Sequence, residues 1–197
     1  QTPTDNGFFT YLSTIREEIL PNCYNCIILQ VDGYEADDII AALATHFGDQ
    51  QKPVLIHSND ADFQSLLNDY VSITDRSKKL AHVEPKDIRL YKTLVGDSSD
   101  NISGIPLLGN AWWAKLDEVA KTKWVELLEG KTETYPTDHL TEAKRLWVSQ
   151  NIPLLRTFYT IVGFLPVNLS KVLTLDSVIG VNDPTAYRQT MTKYFWM

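Results

Sequence analysis

IILQVDGYEADDIIAALATHF, residues 27 to 47, decides the fold. Ile27 to Val31 is an apolar run interrupted by Gln30, the length of a strand buried on both faces. Asp32-Gly33 breaks it. Ile39, Ile40, Leu43, Ala44 and Phe47 then recur at helical spacing, which places Glu35, Asp37 and Asp38 in the first turn of an amphipathic helix. A buried strand that hands over to a helix is the unit of a parallel α/β sheet, and such sheets gather their active groups beyond the carboxyl ends of the strands.

Working outward, Phe8, Phe9, Leu12, Ile15, Ile19 and Leu20 fall on one helical face before a stop at Pro21-Asn22. Downstream, Pro53 to His57 reads as a second buried strand, Phe63 to Leu67 as a short helix and Tyr70 to Thr74 as a third strand. From Asp75 to Lys92 basic residues outnumber acids. Gly96 to Gly109 is rich in glycine, serine and proline, and beyond it the periodicity is helical over Trp112 to Leu128, His139 to Val148, Pro153 to Val162 and Ala186 to Trp196. The expectation is an α/β part over residues 1–95 and a helical part over residues 96–197, with no strand in the second.

Composition narrows the class. A chain of 197 residues buries a sizeable core, and no apolar run reaches the length of a membrane span, so a soluble protein of the cytoplasm is expected. Cys23 and Cys26 form one isolated pair with four scattered histidines, poor material for a zinc site. A net charge of −7 argues against a nucleic-acid partner unless the acids are concentrated where cations offset them.

They are concentrated. Glu35, Asp37 and Asp38 follow the first strand; Asp60 and Asp62 follow the second, two apart and so on one side of an extended segment; Asp97 and Asp100 lie three apart in a turn. Each cluster alone is an ordinary helix start or turn. Together, at the mouth of one sheet, they repel one another unless cations are present, and hard oxygen ligands suit Mg²⁺ or Mn²⁺. One Mg²⁺ uses one or two carboxylates, so this supply implies two ions, the arrangement that cleaves phosphodiesters. His57 borders the second cluster and is expected to be packed, with a proton shuttle as the alternative.

The three acid clusters resemble those of the structure-specific 5′-nuclease family, which includes the 5′-3′ exonuclease domain of bacterial DNA polymerase I, flap endonucleases and phage ribonuclease H. The match runs from about Ile27 to Leu116, and the tail looks more like the phage branch, which implies a bacteriophage origin and a host-cytoplasm location. The resemblance implies a PIN-like domain with a partial parallel sheet, followed by a helical region with a helix-hairpin-helix-like element. It implies Mg²⁺-dependent cleavage of DNA with a 5′ flap, a nick or an RNA primer, in the company of replication proteins and away from membranes. Glu35, Asp37, Asp60 and Asp38 then serve the first metal, and Asp62, Asp97 and Asp100 the second.

The family also has acidic ligands and a basic arch before the first acid cluster, so this chain reads as the carboxy-terminal part of a nuclease, short of an amino-terminal segment or chain. In Gly104-Ile105-Pro106-Leu107-Leu108-Gly109, two glycines of the family's phosphate-binding hairpin remain, while Leu107 stands where glycine is usual and Ala111 where lysine is usual. Gly104 and Gly109 are the candidate backbone contacts to phosphate, and Arg76, Lys78 and Lys79 the candidate side-chain contacts. Trp112 and Trp113 invite a base-stacking role, but core packing is the expectation for at least one. The competing function is a non-catalytic nucleic-acid-binding fragment or subunit that has kept the nuclease fold.

Overall fold

The computed structural model describes residues 6–20, 27–74, 80, 82–172, 178–179, 185, 188–189 and 192. They belong to two units, one made of residues 1–36 and 167–197 and the other of residues 37–166.

In the first unit, helix α1 (Asn6–Thr14) continues as a wider π turn over Ile15–Ile19, and of its apolar residues Ile19 is buried while Phe8, Phe9 and Tyr11 are exposed. Strand β1 is limited to Ile27–Ile28 and pairs antiparallel with a strand from the tail, Val178–Ile179, Ile27 opposite Ile179. The expected strand to Val31 is therefore cut short, and the tail supplies a strand where helix alone was expected. The turn at Asp32-Gly33 is the local reason: Tyr34 N–H donates to the Val31 carbonyl at 3.2 Å and Gly33 takes a φ of +82°. Most of the expected helix at Ala186 to Trp196, and both cysteines, lie outside the described residues.

The second unit carries the α/β arrangement. Helix α2 (Ala36–Asp49) leads to β2 (Val54–Ile56), a 3₁₀ segment (Ala61–Leu66) and β3 (Val71–Ile73), with β2 and β3 paired in parallel, Val54 beside Val71 and Ile56 beside Ile73. Among the described residues, parallel pairing is confined to these two strands. Ala44 of α2, Ile56, Phe63 and Val71 form a small core, closed by Phe164 stacked on Phe63 at 5.7 Å. At Gly48 a Cβ would stand 2.9 Å from a Val71 methyl, so glycine lets α2 lie close on β3.

The larger core of this unit is helical. It joins α3 (Ile88–Val95), α4 (Asn110–Trp113), α5 (Glu118–Leu128) and α6 (Glu142–Ile161) around Leu94, Ile105, Trp124, Leu127 and Leu155. Trp112 and Trp113 are both buried, edge-on to Trp124 and Tyr91, so both are core residues. The two helices expected at His139 to Val148 and Pro153 to Val162 meet at a kink within Glu142–Ile161. Asn151 leaves helical geometry (φ −124°) two residues before Pro153, whose ring cannot continue the hydrogen-bond ladder. The Asn151 amide instead donates to the Trp147 carbonyl at 2.7 Å.

Between α3 and α4, residues 96–109 form a pinned loop. Asp97 and Ile102 exchange two backbone hydrogen bonds of 2.8 Å, and Ile105 N–H donates to the Leu94 carbonyl at 2.8 Å. Gly104 (φ +62°) sits where a Cβ would meet Gly96 N and Val95 C at 2.6 Å, whereas a Cβ on Gly109 meets nothing within 4 Å. Gly104→Ala should therefore cost about 2–4 kcal/mol, from the left-handed backbone and the backbone clash together, and Gly109→Ala less than about 0.5 kcal/mol. Urea midpoints of the two variants measure the contrast.

Candidate active site

Asp60 and Asp62 are positioned by a short polar run after β2. The Ser58 hydroxyl accepts Asp60 N–H at 3.0 Å, and Asp60 Oδ1 accepts Asp62 N–H at 2.9 Å, capping the 3₁₀ segment. Asp97 and Asp100 are positioned by the loop after α3. Asp97 Oδ1 accepts both the backbone N–H (2.9 Å) and the hydroxyl (2.5 Å) of Ser99, an Asx turn that brings Asp100 round to the same side.

These two acid pairs, 35 or more residues apart in sequence, line one cleft of about 630 Å³ together with Asn59, Tyr91, Gly96 and Ser99. At its floor stands Lys92, on α3 and 5% exposed. Its ammonium is ion-paired with Asp62, stands 2.5 Å from Asp97 Oδ2 and 3.9 Å from Asp100 Oδ2. Burial by itself lowers the Lys92 pKa, but the two hydrogen-bonded carboxylates more than offset it, and the net shift is upward. For Asp97 burial pushes the carboxyl up, while Lys92 and the two Ser99 bonds outweigh it and hold it below the ordinary value. Asp100 is raised, by burial first and then by the neighbouring charge of Asp97.

The sequence reading passed over Lys92, counting it with a basic surface segment. A signal for it exists: Ile88, Tyr91, Lys92 and Val95 share the apolar stripe of α3, and a lysine in that phase needs an acid partner.

The other candidates fall elsewhere. Asp38 is 7% exposed and its Oδ1 accepts Leu165 N–H at 2.7 Å, tying the start of α2 to the segment after α6. Asp37 is half-buried in the same helix turn. Neither lines the cleft. Glu35 is exposed in the first unit, in the extended residues before α2. His57, expected to be packed, is exposed. Arg76, Lys78 and Lys79 lie outside the described residues. The rest of the basic segment is engaged internally: Lys86 pairs with Glu118 at 2.6 Å, and Arg89 donates to the Tyr159 carbonyl at 2.8 Å with its guanidinium 3.9 Å from the Tyr159 ring.

Among the described residues, no three acidic, histidine or cysteine side chains form a metal cage. What Asp62, Asp97 and Asp100 share is a cation, the Lys92 ammonium. The donor set nonetheless fits a hard divalent ion, because it already holds a positive charge with carboxylate oxygens, and Mg²⁺ needs one or two carboxylates with water completing its shell. Asp60, Asp62, Asp97 and Asp100 are the residues that would hold it.

Residues 2–91 match the family model of the 5′-3′ exonuclease N-terminal resolvase-like domain. Over these residues the chain is similar to 5′-3′ exonucleases. The 5′-3′ exonuclease of Aquifex aeolicus is 40% identical over 92 residues, which cover 42% of this chain and 32% of that protein. The thermostable DNA polymerase I of Thermus aquaticus is 31% identical over 127 residues, 60% of this chain and 15% of that protein. The match thus spans about a third of the length of the curated exonucleases. Among solved structures, a mutant of the T5 5′-exonuclease shares the fold with a TM-score of 0.52 at 18% identity, over 83% of this chain and 66% of its own. The family's PIN-like α/β fold followed by helices is therefore the fold of this chain. No helix among the described residues is long and apolar enough to cross a membrane.

The ion pair makes stability depend on pH. Asp97 titrates below its unfolded value of 3.8, so its contribution is complete above pH 3.8 and is lost as pH falls through the lower folded value. Asp97→Asn is expected to lose about 1–3 kcal/mol at pH 7, and the difference from the parent protein should vanish in strong acid. Thermal melts of both proteins across this range test the sign and the window.

Proposed function

We propose that this chain carries the catalytic cleft of a divalent-metal-dependent, structure-specific 5′ nuclease that hydrolyses phosphodiester bonds at a 5′ flap, a nick or an RNA primer. The observation that carries the reading is the convergence of Asp60, Asp62, Asp97 and Asp100 on one cleft from two separate loops. Placing four carboxylates there is costly for a merely structural surface, and Lys92 can neutralise one charge of the set. The names of the relatives, 5′-3′ exonucleases and DNA polymerase I, support the same class of reaction.

Asp60, Asp62, Asp97 and Asp100 would hold Mg²⁺ or Mn²⁺, which would supply Lewis acidity toward the scissile phosphate and ease generation of the nucleophile. The chain's own groups do the rest. The Asp60 cap fixes the 3₁₀ segment and with it the direction of Asp62, while the Asp97–Ile102 bridge closes the second loop and Ile105 N–H on the Leu94 carbonyl ties it to α3. Lys92, ion-paired with Asp62 and Asp97, limits repulsion between the two acid pairs. Arg76, Lys78, Lys79 and the backbone near Gly104 and Gly109 are the proposed contacts to substrate phosphates; Gly104, tightly enclosed, serves the loop's shape, and Gly109, open on the Cβ side, suits close approach of a phosphate. Two metal ions and replication proteins as partners belong to the same proposal.

The test is cleavage of a labelled 5′-flap duplex with Mg²⁺, with Mn²⁺ and with EDTA. Metal-dependent cutting that falls at least about a hundredfold in Asp62→Asn is expected, since a metal-held transition state is worth several kcal/mol. Retained duplex binding without any cutting in either metal would leave the non-catalytic nucleic-acid-binding module as the correct reading.

A further inference from the structure

We propose that Lys92 is the resident cation of the Asp62–Asp97–Asp100 cluster and that a divalent ion entering the cleft must displace its ammonium. The inference deepens the nuclease reading, on which it rests for the ion involved.

Three facts lead to it. The ammonium is in contact with Asp62 and Asp97 and within 3.9 Å of Asp100, the aspartates best placed to ligate a metal on that side of the cleft. It is buried, so water does not screen it from a second cation arriving at the same carboxylates. Its stem leaves α3, a helix fixed by Arg89 on Tyr159 and by Leu94 in the core, whereas the ammonium end is a flexible chain of methylenes from its anchor. Ammonium and metal therefore compete for the same oxygens, and the side chain has room to yield toward the cleft. In its resting position Lys92 keeps the aspartates from repelling one another; once displaced, it is a positive charge at the cleft wall, where a phosphate would lie.

The competing account is that Lys92 only scaffolds the cluster. The two make opposite predictions for Lys92→Met, which keeps a stem of similar length and removes the charge. Competition predicts Mn²⁺ binding at least tenfold tighter than in the parent protein, read from the free-Mn²⁺ electron paramagnetic resonance signal. It also predicts a larger rise in melting temperature on adding Mn²⁺. Scaffolding predicts unchanged or weaker binding, and that result overturns the proposal. Lys92→Arg, which keeps the charge, should stay within about threefold of the parent. A measurement on the unsubstituted protein covers the case in which the variants do not fold: acetylation of Lys92 by acetic anhydride, followed by mass spectrometry, should rise severalfold on adding Mn²⁺. Equal or lower reactivity with Mn²⁺ would count against displacement. None of these readouts needs turnover. Tighter binding in Lys92→Met beside a parent protein that cuts no flap substrate would keep this proposal and sink the nuclease reading; metal-dependent cutting beside unchanged binding would do the reverse.

Discussion

An ammonium group taken out of water must be surrounded by oxygen, and in this fold that requirement falls on Lys92. Its position on the apolar stripe of α3 sends it inward, and the oxygens that receive it come from two loops that are distant in sequence, Asp62 after β2 and Asp97 after α3. Both carboxylates hold the same buried ammonium, so the contact fixes the 3₁₀ segment against the loop over residues 96–104. The α/β part and the helical part of residues 37–166 share this point as well as hydrophobic contacts. The same arrangement that stabilises the fold concentrates carboxylates at one cleft.

Two other ties hold the second unit in the shape the cleft needs. Asp38, in the first turn of α2, accepts Leu165 N–H, and Phe164 beside it stacks on Phe63 of the 3₁₀ segment that bears Asp62. The end of the helical region therefore returns to the α/β core. Arg89 lies on the Tyr159 ring with its guanidinium in the space a Cβ at Gly163 would take, so a side chain there would push the guanidinium from the ring. The loop over residues 96–104 is narrow for a similar reason: Gly96 and Gly104 stand back to back, and their missing side chains let Asp97 bridge to Ile102.

The four aspartates of the cleft were readable from local pattern. Asp60, Asp62, Asp97 and Asp100 announced themselves because Asp, Asn and Ser cluster at turns that end a strand or begin a helix, and turns after strands are where a parallel sheet presents its side chains. Core packing of at least one of Trp112 and Trp113 was expected because large aromatics dominate cores, and the structure buries both. Lys92 was not read, because its sequence neighbours are basic and its partners are 30 and 5 residues away. The packing role of Asp38 was hidden for the same reason: its partner, Leu165, lies 127 residues downstream. Strand β1 was overestimated, since an apolar run states that a segment is buried but not what it pairs with.

By itself, the sequence determined the helix–strand–helix–strand order from α2 to β3, the turn-rich loop over residues 96–109 and the inventory of acids, because these depend on propensity, turn chemistry and spacing over a few residues. Only the tertiary structure decided which acids share a cleft, that a lysine stands among them and that β1 pairs with the tail. Those outcomes turn on contacts between residues far apart in the chain, where burial and charge pairing, summed over the whole core, select one arrangement from many that local pattern permits.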